Sequence, residues 1–475
     1  MTSGLPEPTR LRQGIGLQMN RSRTLSLLVL AALLAACGTG DSSPTDGEIS
    51  PTASAPAPLH AFAADTERIT EHLAALQAIA DDHDGTRFAG TAGYDASVDY
   101  AAGALRDLGF EVETPEVEFT GFVELPGNTL EVGSESFSGP DELHALIYSA
   151  SGDVTAPVEL LAGSGCEPED FDGVEPGTIV LTVGSGCLRR QQAQNAIEAG
   201  AAALLVGYPG RGPGEIYRPT LVDPDGIDIP VVSVTDGAIQ AIEAVGDEPV
   251  RLKVATEREP AVLKNVIAEF GDGPKVVIVG AHLDSVLEGP GINDNGSGVA
   301  AVLEIARGVA EGGVPDGTMV RIGLWGGEEL GLVGSRAYVE SLLRNPVAYL
   351  NIDMAGSLHG ANFVYNEVAF ADQSGGITQG YVQWLTERGE VPEPIDLRGA
   401  SDHGSFQRAG IPTGGLFSGA SETGSASNPS ASGEGGTPAD ACYHLSCDDL
   451  DNVDVERVAL FADATLAIAL ALISS

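Results

Sequence analysis

Between Ala261 and the C-terminus the chain repeats one pattern: a short apolar, β-branched run, a loop rich in glycine or polar residues, then a stretch of helical periodicity. The runs are "KVVIVGA", "VRIGLW", "VAYLNID" and "IPTGGLF". Between them lie "GVAAVLEIARGVA" and "SRAYVESLL", and a last helix is predicted over residues 455–473. Parallel strands need crossover helices, and those helices bury both faces of the sheet. The alternation therefore predicts an α/β fold, a mostly parallel (mixed) central sheet flanked by helices. Ligands of such sheets bind beyond the carboxyl ends of the strands. The residues directly after each run are where chemistry is to be sought.

Upstream, "TERITEHLAALQAIA" places Ile69, Leu73, Leu76 and Ile79 on one helical face, and "TAGYDASVDYAAGALRDLGF" reads as a second helix ending near Gly109. "EVETPEVEF" alternates like a strand. From about 120 to 255 the texture changes. Short β-rich runs ("HALIYSA", "TIVLTV", "AALLVG", "IPVVSV") alternate with Gly/Pro turns and one helix, "RQQAQNAIEAG". This reads as a smaller β-rich domain inserted into the main one. The Gly/Ser/Ala-rich loop 418–441 lies between candidate site residues.

Charge excludes some partners. The chain has 475 residues, with 68 acidic against 24 basic and a formal net charge of −44. Lysine occurs only at Lys253, Lys264 and Lys275. Such a surface repels nucleic acid and anionic membranes. The N-terminus reads as an export signal: Arg21 and Arg23, the apolar stretch 25–34, then Leu34-Ala35-Ala36-Cys37. That ending resembles a bacterial lipobox, in which Cys37 is lipidated and becomes the mature N-terminus. The residues before Met19 do not fit an export signal, which points to Met19 as the start. Residues 38–58 read as a flexible linker. An exported chain permits disulfides. The four remaining cysteines pair most economically as Cys166/Cys187 and Cys442/Cys447, although spacing does not fix connectivity.

The candidate chemistry falls where the sheet rule asks for it. His282 and Asp284 follow "VVIV", Asp294 lies in the Gly-rich "GPGINDNGSG" at a helix start, and Glu328 and Glu329 follow "VRIGLW". Asp353 follows "AYLNI", and His444 sits in "CYHLSC" before the last helix. Zinc prefers imidazole nitrogen and carboxylate oxygen, and two zinc ions about 3.5–4 Å apart can share one carboxylate and hold a hydroxide between them. Two histidines and three carboxylates suffice for such a pair. Asp294 suits the bridge, with His282 and Asp353 serving one metal and Glu329 and His444 the other. Asp284 is expected to accept the other ring N–H of His282. Glu328, beside ligand Glu329 but pointing elsewhere, is the natural general base. His83 reads as a loop histidine, and His403 as structural.

The stretches "HLDSVLEGPGINDNGSG", "WGGEELGLVGSRAYV", "NIDMAGS", "SDHGSF" and "CYHLSC" closely resemble the M28 family of co-catalytic zinc aminopeptidases, especially secreted bacterial ones. The likeness spans residues 59–473. It implies a phosphorylase/hydrolase-like zinc peptidase fold over 59–119 and 256–475, after a signal peptide with lipobox at 1–37. The insert, 120–255, resembles a protease-associated (PA) domain, including its paired Cys166 and Cys187. Carried over by position, the family's two zinc ions fall to the same five ligands and its general base to Glu328. Tyr443 matches a tyrosine that stabilises the tetrahedral intermediate, and Cys442/Cys447 a disulfide clamping that loop. Met354 and Phe417 read either as core or as walls of an apolar specificity pocket. One departure is Ala400, where secreted relatives can carry an arginine, with Arg398 two residues earlier.

The expected function is removal of a large apolar, Leu-like N-terminal residue from peptides with a free N-terminus. The expected location is extracellular or cell-surface, with membrane contact only through the lipid anchor. A same-fold carboxypeptidase would need basic residues near the metals. Only Arg336, Arg398 and Arg408 lie near the motifs, with no lysine, which disfavours it. A glutaminyl cyclase would use a single zinc. A non-catalytic binding protein would have lost ligands, and none is missing here.

Overall fold

A mixed eight-stranded sheet forms the centre of the computed structural model, which describes residues 62–184, 186–422 and 437–474. The export signal, Cys37, the linker and the middle of the loop 418–441 lie outside the described residues. Across the sheet the strands run Glu111–Glu113, Val266–Gly271, Thr318–Trp325, Lys275–His282, Ala348–Asp353, Thr413–Phe417, Asn362–Tyr365 and Pro392–Ile395. The four central strands, Thr318–Trp325 to Thr413–Phe417, are parallel to one another, and the antiparallel pairings lie toward the two edges. Val277, Ile278, Val279 and Ala281 have no exposed surface, which is why this run lacks polar alternation.

Helices cover both faces. Thr66–Asp82, Gly298–Gly312 and Val455–Ser474 pack together on one side. The last of these is long and apolar enough to cross a membrane. Here Val458, Phe461, Leu466 and Ile473 bury it in the core instead. On the other side Val333–Ser341 and His403–Arg408 enclose an aromatic cluster of Trp325, Tyr349 and Phe406. Tyr349 and Phe406 stack with centroids 3.8 Å apart, and the Trp325 indole donates to the Tyr349 hydroxyl at 2.8 Å.

Three elements differ from the reading of the sequence. "EVETPEVEF" forms two strands, Glu111–Glu113 and Glu116–Glu124, because Pro115 between them has no N–H for a ladder. The first joins the main sheet; the second pairs along its length with Thr256–Lys264 as a ribbon leading into the insert. The insert carries two longer helices rather than one, the second being Asp236–Val245 with Ile239 and Ile242 buried. A 17-residue helix, Ala371–Glu387, was hidden by Gly375, Gly376 and Gly380. Its buried Ile377, Tyr381 and Leu385 follow the helical period. At Gly380 an added Cβ would stand 3.1 Å from Ile468 of the last helix.

The insert consists of a five-stranded and a four-stranded sheet with the helices Arg189–Glu198 and Asp236–Val245. It is tied to the main part by buried charge. Arg218, paired within the insert with Glu124 at 2.7 Å, reaches across to Glu288 of the main part at 3.1 Å. Arg398 donates to the Gly186 carbonyl at 3.0 Å. The described residues all belong to one compact unit, 58–475.

Candidate metal centre

Strand register begins the site. Gly280 is paired with Asn351, and His282 with Trp325. His282 and Asp353, each two residues further on and each last in its strand, therefore emerge side by side. Glu328 and Glu329 follow three and four residues after Trp325. His282 Nε2 lies 3.1 Å from Asp294 Oδ1 and 3.4 Å from Asp353 Oδ1. His444 Nε2 lies 3.2 Å from Asp294 Oδ2 and 3.2 Å from Glu329 Oε2. The structure thus brings all five side chains together, with one Asp294 oxygen facing each imidazole. Donor atoms of His282, Asp294 and Glu329 lie within 4.8 Å of one another.

Two loops hold this arrangement. The Asp294 loop turns at Gly291, whose φ of +61° suits glycine and where an added Cβ would meet Asp294 O at 2.3 Å. Beneath it lies Arg87, with no exposed surface. Its guanidinium donates to the carbonyls of Pro290 and Gly291 at 2.9 and 2.7 Å, and to that of Leu283. Burial pulls Arg87 down to about 10, against the pull of Asp284, Asp448 and Asp294, so it stays charged at neutral pH. The second loop is closed by the Cys442–Cys447 disulfide. It docks through Asp448, whose carboxylate accepts the Asn293 and Asp294 amides at 2.8 and 2.9 Å. Arg87→Met should destabilise the fold by about 2–4 kcal/mol, since three buried carbonyls lose a charged donor. Chemical denaturation checks this; an unchanged midpoint would refute it.

Asp284 differs from its expected role. The His282 Nδ1–H donates to the backbone carbonyl of Asp284 at 3.1 Å, while the carboxylate stands 3.6 Å away, beyond hydrogen-bond reach. The carboxylate instead accepts the amides of Glu328 and Glu329 at 3.2 and 3.4 Å. The carbonyl thus takes the ring N–H, and the side chain is left to orient the glutamates.

Electrostatics fit a cation. Burial pushes Glu328 well up, and neighbouring Glu329 and Asp353 add to it. Burial likewise raises Glu329, helped by Asp294. Burial opposes a proton on His282, but Asp353, Asp284 and Asp294 hold it well above the usual histidine range. Asp294 is held low despite burial by hydrogen bonds from His282 and His444. Carboxylates thus outnumber imidazoles in a desolvated place, and a divalent cation is the charge that balances them. Imidazole nitrogen with carboxylate oxygen is the donor set zinc takes.

Two cavities meet at this centre. One, of about 180 Å³, is lined by the five side chains and by Met354, Leu397, Phe417 and Ala420. Met354 and Phe417 are buried and belong to its apolar wall. The other, of about 480 Å³, lies between the insert and the main part and includes Glu328, Glu329, Tyr443 and His444. Tyr443 stacks on His444 with centroids 3.9 Å apart. Tyr217 of the insert meets Tyr443 edge-on at 5.8 Å, and Arg211 lies over the Tyr217 ring at 4.4 Å.

The remaining candidates fall outside the centre. His403 lies 3.3 Å from Glu367 in the core, and His83 caps the first helix through the Ile79 carbonyl. Ala400 lines both cavities, while Arg398 is turned to the insert. Cys166–Cys187 and Cys442–Cys447 are both formed. Arg87, Asp448 and Tyr217 escaped the sequence reading. Asp448, next to Cys447, could have been suspected from adjacency; Arg87 and Tyr217 come from distant segments and left no local signal.

Comparison with known proteins adds a family. The pattern of peptidase family M28 matches residues 265–469, and that of the PA domain matches 150–242. A probable lipoprotein aminopeptidase of Mycobacterium tuberculosis is 36% identical over 471 residues, covering 92% of this chain and 91% of the relative. Leucine aminopeptidase 2 of Arthroderma otae is 32% identical, covering 78% and 76%. A solved zinc aminopeptidase from Bacillus subtilis superposes with a TM-score of 0.63 at 26% identity, covering 85% of this chain and 94% of its own.

Proposed function

Because the chain belongs to peptidase family M28, and is a zinc-dependent metallo-aminopeptidase, a hydrolase, we propose that it works with two zinc ions and removes apolar N-terminal residues. His282 and Asp353 would hold one ion, Glu329 and His444 the other, and Asp294 would touch both. The observation that carries this reading is the Asp294 carboxylate, whose two oxygens face His282 and His444 separately. Bound there, zinc supplies Lewis acidity toward the scissile carbonyl and makes water more acidic.

The chain's own residues do the rest. Glu328 takes a proton from the attacking water at its carboxylate and delivers it to the leaving nitrogen. Burial raises its proton affinity, which is the direction a proton shuttle needs. Asp284 orients Glu328 through the backbone amide. Burial, with Asp294 and Glu329, keeps the Tyr443 hydroxyl protonated, so it donates to the oxyanion as charge develops. The wall of Met354, Leu397, Phe417 and Ala420 favours an apolar side chain. The relative named a leucine aminopeptidase supports that preference.

The boundaries proposed for the domains are 59–119 with 256–475 for the peptidase and 120–255 for the PA insert; the matched ranges lie within them. Two disulfides suit an exported or cell-surface protein. A lipid anchor at Cys37 is the finer proposal, supported by the relative named a lipoprotein.

Metal analysis alongside hydrolysis of leucine p-nitroanilide tests the reading. Two zinc ions per chain are expected, with activity lost to a chelator and regained with zinc. Full activity at one ion per chain would overturn the dinuclear centre. Failure to hydrolyse the substrate at any loading would overturn the aminopeptidase role.

A further inference from the structure

The two cavities share Glu328, Glu329, Ala400, Tyr443 and His444 but differ in chemistry. Removing one residue from the amino end of a peptide requires a chamber for that residue on one side of the reacting centre. The departing remainder needs a longer run on the other. The 180 Å³ cavity, walled by buried Met354 and Phe417, suits the first. The 480 Å³ cavity, between the insert and the main part, suits the second.

That second cavity is lined by Arg189, Arg336 and Arg408. Among the described residues its acidic lining is Glu328 and Glu329 alone, at the metal centre. Three guanidiniums in one cleft stand out in a chain with 24 basic residues against 68 acidic. Most other arginines here are committed, as Arg218 is to Glu124 and Arg321 to Glu269. Arg189 already donates to the Gly184 carbonyl and to Gln192. The side chains of Arg336 and Arg408 pair with no carboxylate among the described residues. Both line the same cavity, and burial together with the like charge of Arg336 pulls Arg408 below the usual arginine value. A carboxylate would relieve that repulsion and accept from both forks.

We propose that Arg336 and Arg408, with Arg189 at the rim, bind a carboxylate on the departing part of the peptide. The enzyme then selects substrates carrying a negative charge a short way downstream of the cleaved bond. That charge is either the chain's own C-terminus, in short peptides, or an acidic side chain. The inference rests on the aminopeptidase reading and assigns its leaving-group side.

Matched substrates test it. Leu-Gly-Gly as free acid is compared with its amide, and Leu-Asp-Gly amide with Leu-Asn-Gly amide, reading kcat/KM for each. The intact enzyme should favour the charged member of at least one pair by about tenfold or more, as a charge-assisted contact implies. Preference in the first pair identifies the chain end as the source of charge; preference in the second identifies a side chain. In the Arg336→Gln/Arg408→Gln double variant the ratio should fall to about one, and Arg→Lys at both positions should restore part of it. The proposal is overturned by ratios near one in the intact enzyme, which needs no variant to measure. It is overturned equally by ratios that persist in the double variant. Hydrolysis of all four peptides without preference would sink only this assignment, whereas hydrolysis of none would sink the aminopeptidase reading.

Discussion

Glu328→Gln is expected to lower kcat by about 10²–10⁴-fold, the range a positioned general base contributes. Glutamine keeps the length of the side chain and an acceptor oxygen but cannot take the proton. The glutamates are oriented through their backbone amides, which donate to Asp284, so the substitution leaves that anchorage in place. Metal content should therefore match the parent enzyme, because Glu328 is not among the five side chains proposed as ligands. The diagnostic result is lost turnover with retained zinc. A fully active variant would mean that another group moves the proton, and a variant without metal would mean that Glu328 is itself a ligand.

Asp294→Ala should be at least as damaging for a different reason. Its carboxylate lies 3.1 Å from His282 and 3.2 Å from His444, so one substitution strips an oxygen donor from both of the proposed zinc positions. Zinc content should drop below two per chain, and activity should fall on the order of a thousandfold or more, since several kcal/mol of charge stabilisation depend on the metals. Asp353→Ala makes the useful contrast, because its oxygen approaches only His282. If Asp294→Ala retained two tightly held ions, the shared-carboxylate arrangement would be wrong.

Legibility in the sequence followed the distance over which each signal acts. The central strands could be read because β-branched runs buried on both faces are compositionally distinctive. His282, Asp353, Glu328 and Glu329 could be read because each lies at or just beyond the carboxyl end of such a run, and the register aligns those ends. Local rules failed where packing overrides propensity. The helix Ala371–Glu387 tolerates Gly380 because Ile468 of the last helix packs close there. Asp284 sits two residues from His282, yet its backbone carbonyl rather than its carboxylate takes the ring proton. A two-residue spacing does not distinguish those acceptors.

What the sequence determined by itself is the inventory: a parallel-rich sheet and the candidate donor residues after its strands. These depend on neighbours within a few positions, whose chemistry a linear reading captures. Only the tertiary structure decided what supports and what faces the donors. Arg87, 196 residues before Leu283 and 204 before Gly291, fastens the loop of Asp294. Asp448 joins that loop to the one bearing His444. The insert and the peptidase part together wall the cleft where Arg336 and Arg408 lie. Those contacts pair groups far apart in the chain, and their free energy comes from desolvated hydrogen bonds and charges that exist only once distant segments have packed.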